Sequence, residues 1–321
     1  MKTKINLIQI FLVGVTLLAL PVAGQVQLTF TTNNGAITIM GYTGNPTALA
    51  IPSMTNGYPI TGIAVNAFYG ATNLTSITIS SNITSIGVDA FFLCTSLTTI
   101  TVDANNPVYS STAGVLFANN QTTLVDYPLG KFGSYAVPNT VSSLADHAFY
   151  NCTHLTGVTM SNGLADIGTY AFCYCSGLVN VTIPRSVTNI GLFAFGYCPN
   201  LAGIYFWSNA PLVGSYAFSG ASKVTAYYLP GTTGWSYFSA IAGIPAVLWN
   251  PQTTSLGVQN NQFGFNVTGT TNIPVVVEAC TNLASPVWSP LQSFTITNGL
   301  VAFHDPQWTN FPGRFYRLSS P

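Results

Sequence analysis

Ile83-Thr84-Ser85-Ile86-Gly87-Val88-Asp89-Ala90-Phe91 is one phase of a repeat that returns along most of the chain. Its Ala-Phe pair comes back at Ala67-Phe68, Ala148-Phe149, Ala171-Phe172, Ala194-Phe195 and Ala217-Phe218. Four of the five intervals are 23 residues; the fifth, from Phe91 to Phe149, is 58, or 23 plus an insert of 35. An aliphatic residue stands five before each Phe (Ile63, Ile86, Leu144, Ile167, Ile190, Val213) and another six after it (Leu74, Leu97, Leu155, Leu178, Leu201, Val224). A unit this short cannot bury its apolar face alone and must stack on the next, so the period predicts a solenoid. Each Phe is expected as a core plug. Leu-x-x-Ile-x-Ile segments such as Leu178, Val181 and Ile183 are expected as bent inward-facing strands of a parallel sheet. Ala64, Gly87, Ala145, Gly168, Gly191 and Gly214, four before each Phe, predict a tight bend or close backbone approach between coils.

Working outward, the coils tile as 60–82, 83–105, 141–163, 164–186, 187–209 and 210–232, a solenoid over 60–232. Before them, Val26, Leu28 and Phe30, then Asn34-Gly35, then Ile37 and Ile39 read as a hairpin, so 25–59 is expected to cap the open end of the stack. The insert at 106–140 is an aberrant coil with a hairpin in it. Gly114-Val115-Leu116-Phe117 and Leu124-Val125-Asp126-Tyr127-Pro128 flank a polar turn, and Phe132, Tyr135 and Val137 match the Leu178, Val181 and Ile183 strand. Residues 233–249, with Trp235, Phe238 and Trp249, are expected to cover the last coil. After the Asn250-Pro251 turn signal, short strands around Phe263, Val275, Phe294 and Val301 predict a small β-sandwich over 250–321. The fold class expected is therefore mainly β, with a parallel sheet on one face of the coils and short turns or helical segments on the other.

Only 4% of the 321 residues are charged, seven basic against seven acidic, which excludes long-range attraction to nucleic acid or anionic lipid. Mean hydropathy is +0.41, yet past residue 24 no apolar run approaches the ~20 residues of a spanning helix. The N-terminus itself reads as an export signal at 1–24: Lys2 and Lys4, an apolar stretch from Ile5 to Leu20, then Pro21 and small residues before Gln25. A secreted or outer-surface protein with no membrane span after cleavage is expected.

The Ala-Phe phases with their flanks, Leu178-Val179-Asn180-Val181-Thr182-Ile183-Pro184, and the insert's Gly114 to Pro128 together resemble BspA-type leucine-rich repeats of bacterial surface proteins. The resemblance covers roughly 26–249. It implies a leucine-rich-repeat solenoid, an interaction protein at or beyond the cell surface, in some cases an adhesin, and no catalytic residues to carry over. Residues 263–321, through Val277-Glu278-Ala279, Trp288, Asp305-Pro306 and Arg314-Phe315-Tyr316-Arg317, resemble a small domain found at the end of exported bacterial proteins.

Cys94, Cys152, Cys175 and Cys198 share the slot three after the Phe, which Ala71 and Ala221 fill elsewhere, so they read as small buried residues and not as disulfide partners. Cys173-Tyr174-Cys175 lacks the further ligands of a zinc site. Asp146, His147, Cys152 and His154 hold the residue types of a nucleophilic site, but they fall in ordinary loop and core slots. No enzyme activity, metal or cofactor is expected. The outer face of the sheet carries Thr78, Thr101, Thr159 and Thr182, then Tyr205 and Tyr228, with Trp207 beside them. Tyr205, Trp207 and Tyr228 are the candidate ligand-binding residues, an aromatic platform for a sugar or protein partner. The reading is recognition or adhesion of a protein or glycan through the solenoid face. The alternatives are a structural spacer or display protein anchored by its C-terminal domain, and a glycan-binding accessory module.

Overall fold

A computed structural model describes residues 26–118, 120–259 and 261–321, so the expected export signal lies outside the described residues. The chain winds into a β-solenoid of about nine turns with ~23-residue spacing. Each regular coil has an inner-face strand, a two-residue second strand, and a run of tight turns that carries the Ala-Phe pair. Inner-face strands stack in parallel: Ala48–Ala50, Ser76–Ile79 and Thr99–Val102 in one sheet, Asn180–Ile183, Gly203–Phe206, Thr225–Tyr228 and Ala246–Leu248 in another. The second strands form their own ladder, in which Leu144, Ile167, Ile190 and Val213 lie in register.

The plug column is continuous stacking of rings. Phe149, Phe172, Phe195 and Phe218 follow one another at 4.8, 5.1 and 5.5 Å between centroids, all fully buried. The small column works as the spacing predicts. A Cβ on Gly191 would stand 2.6 Å from the Thr169 backbone nitrogen, and one on Gly214 2.5 Å from that of Leu192. At the N-terminal end the hairpin Gln27–Asn33 and Ala36–Thr43 closes the stack, its second strand pairing in parallel with Tyr58–Ile63. Ala36–Thr43 also brings Tyr42 onto Phe68, extending the column by one ring.

The insert is built as a three-stranded meander, Tyr109–Thr112, Val115–Ala118 and Thr123–Asp126, joined to the second-strand ladder at Ser143–Leu144. Alternation along Val115–Ala118 divides the core, because successive side chains point to opposite faces. Leu116 packs with the residues of coils before it, while Val115 and Phe117 pack with those after it. Two matches expected from spacing change here. Phe132 is 73% exposed, lying against His154 and not in the Leu slot. Tyr127 takes a plug position, fully buried and 5.0 Å from Phe149, its N–H donating to the Ala148 carbonyl as Phe149 does to Ala171.

Beyond the coils, the helix Trp235–Ala242 sets Trp235 and Phe238 against Phe206 and Phe218, covering the last turn. Trp249 departs from that cap: its indole donates to the Pro274 carbonyl at 2.9 Å, on the side of the C-terminal strands. Those strands form two antiparallel sheets, Gln252–Gln259, Gln262–Thr268 and Leu300–Asp305, and Ser289–Ile296, Ile273–Cys280 and Phe315–Ser319. Asp305 is the buried node of this unit, accepting from Gln307 N–H and Tyr316 Oη and facing Arg314 at 2.9 Å. Among the described residues no helix is long and apolar enough to cross a membrane.

Candidate interaction surface

The three aromatic residues picked out from the strand column do not form one open platform. Tyr205 is 3% exposed, in a cluster with Tyr227, Trp249, Phe265 and Val275, so the C-terminal sheets lie over it. Its hydroxyl is buried without a partner among the described residues. Trp207 is half-buried, edge-on to Trp249. Tyr228 points the other way, into the solenoid, where it stacks on Trp235 at 4.8 Å. The cause is a coil one residue shorter. Leu201 to Ile204 is three residues, but Val224 to its counterpart Ala226 is two, so Tyr205 pairs with Tyr227 and Phe206 with Tyr228. A one-residue slip in a strand moves every following side chain to the opposite face.

The exposed aromatic surface is instead on the turns. Two positions in each regular coil have left-handed backbone, two before and two after the plug Phe. The first holds Asn66, Asp89, His147, Tyr170, Phe193 and Tyr216, with φ between 51 and 63°. The second holds Gly70, Leu93, Asn151, Tyr174, Tyr197 and Gly220, with φ between 53 and 76°. Gly and Asn tolerate this conformation; for a bulky side chain each instance costs roughly 1 kcal/mol. In the last three coils it is nonetheless filled by five aromatic rings. Tyr170, Phe193 and Tyr216 stack at 5.1 and 5.3 Å, and Tyr174 and Tyr197 at 4.8 Å. Phe193 to Tyr197, 6.3 Å apart and nearly coplanar in orientation, joins the two rows. Tyr174, Tyr197 and Tyr216 are 41, 43 and 63% exposed, so the rows form a solvent-facing patch of ring edges and phenol hydroxyls. Sequence reading missed it, although the drift from Asn and Asp to aromatics at one phase was visible.

The cysteine column is a structural ladder. Cys94, Cys152, Cys175 and Cys198 are buried and free. Each Sγ–H donates to the plug carbonyl of the preceding coil, at Phe68, Tyr127, Phe149 and Phe172. Burial pushes the Cys94 and Cys198 thiols up to about 12 and raises Cys152 and Cys175 well above their ordinary value. Of the local cluster, Asp146 accepts the Thr169 N–H, His154 lies under Phe132, and Cys152 is in the core. They are not brought together. His147 has a different partner, Asp89, with Nδ1 2.6 Å from Oδ1. Among the described residues no group of His, Cys, Asp or Glu is arranged to hold a metal ion.

A parallel-strand coil closed by tight turns around one apolar column defines a leucine-rich-repeat solenoid. The BspA type leucine rich repeat region matches in six copies over residues 61–132 and 127–238, more than half the chain, and the chain belongs to that family. It is similar to the T. pallidum leucine rich repeat protein (24% identity, TM-score 0.42, 61% of this chain and 87% of that one). It is also similar to the pneumococcal vaccine antigen PcpA (17%, TM-score 0.45, 64% and 82%). A leucine rich cell surface protein of Faecalibacterium prausnitzii matches as well (19%, TM-score 0.43, 68% and 92%). No curated protein matches the chain.

Proposed function

We propose that this is an exported recognition protein that binds a protein partner through the aromatic rows on its turn edge. The observation that carries the reading is five aromatic rings placed at left-handed positions in three consecutive coils. Other coils meet the same backbone demand with Asn66, Gly70, Asp89, Leu93, His147 and Asn151, so folding does not require a run of phenyl rings there. Ring stacking at these distances contributes ~0.5–1.5 kcal/mol per pair, which offsets the backbone cost without explaining the exposure. Exposed aromatic surface of this kind marks interaction sites. The orientation favours protein over glycan. Neighbouring rings within a row cover each other's faces, with interplanar angles of 6 to 15°, whereas a stacked sugar needs a free ring face. Outward hydroxyls on rigid aromatic bodies suit the core of a protein interface, where Tyr is enriched. With charged residues only 4% of the chain, association would proceed without strong electrostatic steering. The sheet face, lined by Thr78, Thr101 and Thr159, supplies spacing and solubility.

The test is a five-site variant with Tyr170, Phe193, Tyr216, Tyr174 and Tyr197 replaced by Asn, the residue found at these phases in Asn66 and Asn151. Protein and glycan arrays would be probed with wild type and variant. The expected result is a protein ligand bound by wild type and lost in the variant, with the thermal midpoint kept or raised. Protein binding that survives the variant, or binding to glycans alone, would refute the reading.

A further inference from the structure

The insert leaves a cavity of about 270 Å³ on the same turn edge, between the coils of Phe91 and Phe149. The insert's own coil has only the short Pro128–Lys131 turn there, in place of the long run of turns in a regular coil. Residues of the flanking coils bridge over it directly: Asp89 to His147 at 2.6 Å, and Phe92 to Tyr150 at 5.2 Å between ring centroids. Below this roof lie Leu116, Leu129 and the carboxyl of Asp126.

Asp126 is out of character for its position. It precedes the plug Tyr127, so it occupies the slot that Ala67, Ala90, Ala148, Ala171, Ala194 and Ala217 fill elsewhere, all at 3% exposure or less. Its carboxyl has no hydrogen-bond or ion-pair partner among the described residues, while Asp89 is committed to His147 and Asp146 to Thr169. Asp126 is half-buried, and a carboxylate drawn partly out of water without a partner is stabilised when a cation meets it. Hard metal ions need six or more oxygen ligands, and no such set exists here among the described residues. Apolar side chains with one free carboxylate, and the Phe92 and Tyr150 rings in the same wall, suit a cation on a short hydrocarbon chain.

We infer that the cavity under the Asp89–His147 and Phe92–Tyr150 bridges is a binding site for an alkylammonium group, with Asp126 as its counter-ion. The group belongs either to a free primary amine or to a lysine side chain of a bound polypeptide. Burial, with the Asp89 carboxylate adding to it, raises Asp126 to about 7, so this carboxyl is anionic in mildly alkaline solution and neutral in mildly acidic solution. The other titratable groups facing it are Asp89, Asp146, His147 and Tyr150.

The experiment is calorimetric titration of the full chain with n-pentylamine, with doubly blocked lysine, and with n-pentanol as the uncharged control. Saturable binding of an amine at about pH 8, with Kd raised tenfold or more in Asp126→Asn and no pentanol binding, is expected for a charge-assisted contact. Binding of pentylamine alone assigns the site to free amines; binding of blocked lysine as well assigns it to a polypeptide. Asp126→Ala, the residue of every other coil, replaces the Asn variant should that one fail to fold. No amine binding, equal binding of pentanol, or amine affinity unchanged by both substitutions would overturn the inference.

Discussion

Replacing Asp126 by Ala should stabilise the free protein, and by an amount that depends on pH. The folded carboxyl titrates near 7 against an ordinary 3.8, with burial as the main cause and the nearby Asp89 carboxylate second. In the unfolded chain Asp126 releases its proton near 4; in the folded chain it holds it to about 7. Between those values the folded state binds more protons than the unfolded one, so raising the pH through this window costs stability, and above it the loss is complete. About three pKa units at ~1.4 kcal/mol each set a ceiling of roughly 4 kcal/mol. The site is a partly open cavity that water screens, so a loss on the order of 2 kcal/mol is expected. Ala removes that loss and restores the column's buried methyl. Urea unfolding followed by tryptophan fluorescence should show the variant more stable by about 2 kcal/mol at about pH 8 and nearly equal to wild type at about pH 4, with an unchanged m-value. A variant that is less stable at the higher pH, or a gain of equal size at both, would refute the reasoning, since neither is compatible with a half-buried, unpartnered carboxylate.

Phe172→Ala, at the centre of the ring stack, should cost ~3–5 kcal/mol by chemical denaturation, against a small effect for Thr182→Ala on the strand's outer side. Gly191→Ala should also destabilise, because the added methyl meets backbone at 2.6 Å; an unchanged midpoint would show that the coils can separate there. Thiol labelling should find Cys94, Cys152, Cys175 and Cys198 unreactive in the native protein and reactive after denaturation without reductant, as burial and raised thiol pKa require. Tyr205→Phe should be neutral or stabilising by about 1 kcal/mol, since it removes a buried hydroxyl without a partner.

The repeat was legible because one phase carries several columns at once: Phe plugs, Leu and Ile strand positions, Cys or Ala, Gly or Ala. Agreement among them leaves one stacking register. What escaped was local and of two physical kinds. The first is a single-residue deletion between Val224 and Ala226, which reverses the faces of Tyr227 and Tyr228. Two adjacent tyrosines give a hydropathy pattern no means of telling which one turns inward. The second is backbone conformation. Asn66, Asn151, Gly70 and Gly220 were signs of left-handed positions, but Tyr170 and Phe193 at the same phases read as ordinary loop residues until φ is known. Tyr127 went unrecognised as a plug for a related reason: its neighbour Asp126 replaces the Ala that marks every other plug.

The left-handed aromatics and Asp126 lie on one edge of the solenoid, whereas the register slip lies in the strand Thr225–Tyr228. On the strand face of the earlier coils the chain follows the least costly choice, with Thr78, Thr101 and Thr182 outside and Ile77, Ile100 and Val181 inside. On the turn edge it departs from that choice repeatedly: aromatics where Asn or Gly would relieve the backbone, and an unpaired carboxylate where Ala would pack. Solenoid stability is close to a sum over coils and their interfaces, so no distant coil requires these departures. Residues that break the local rule without a structural gain mark places where something other than folding shaped the sequence. The aromatic rows and the Asp126 cavity are adjacent through Tyr150, which meets Tyr174 edge-on on one side and roofs the cavity on the other. A polypeptide lying along the turn edge would therefore meet ring edges over three coils and, at their N-terminal end, a pocket shaped for an ammonium group.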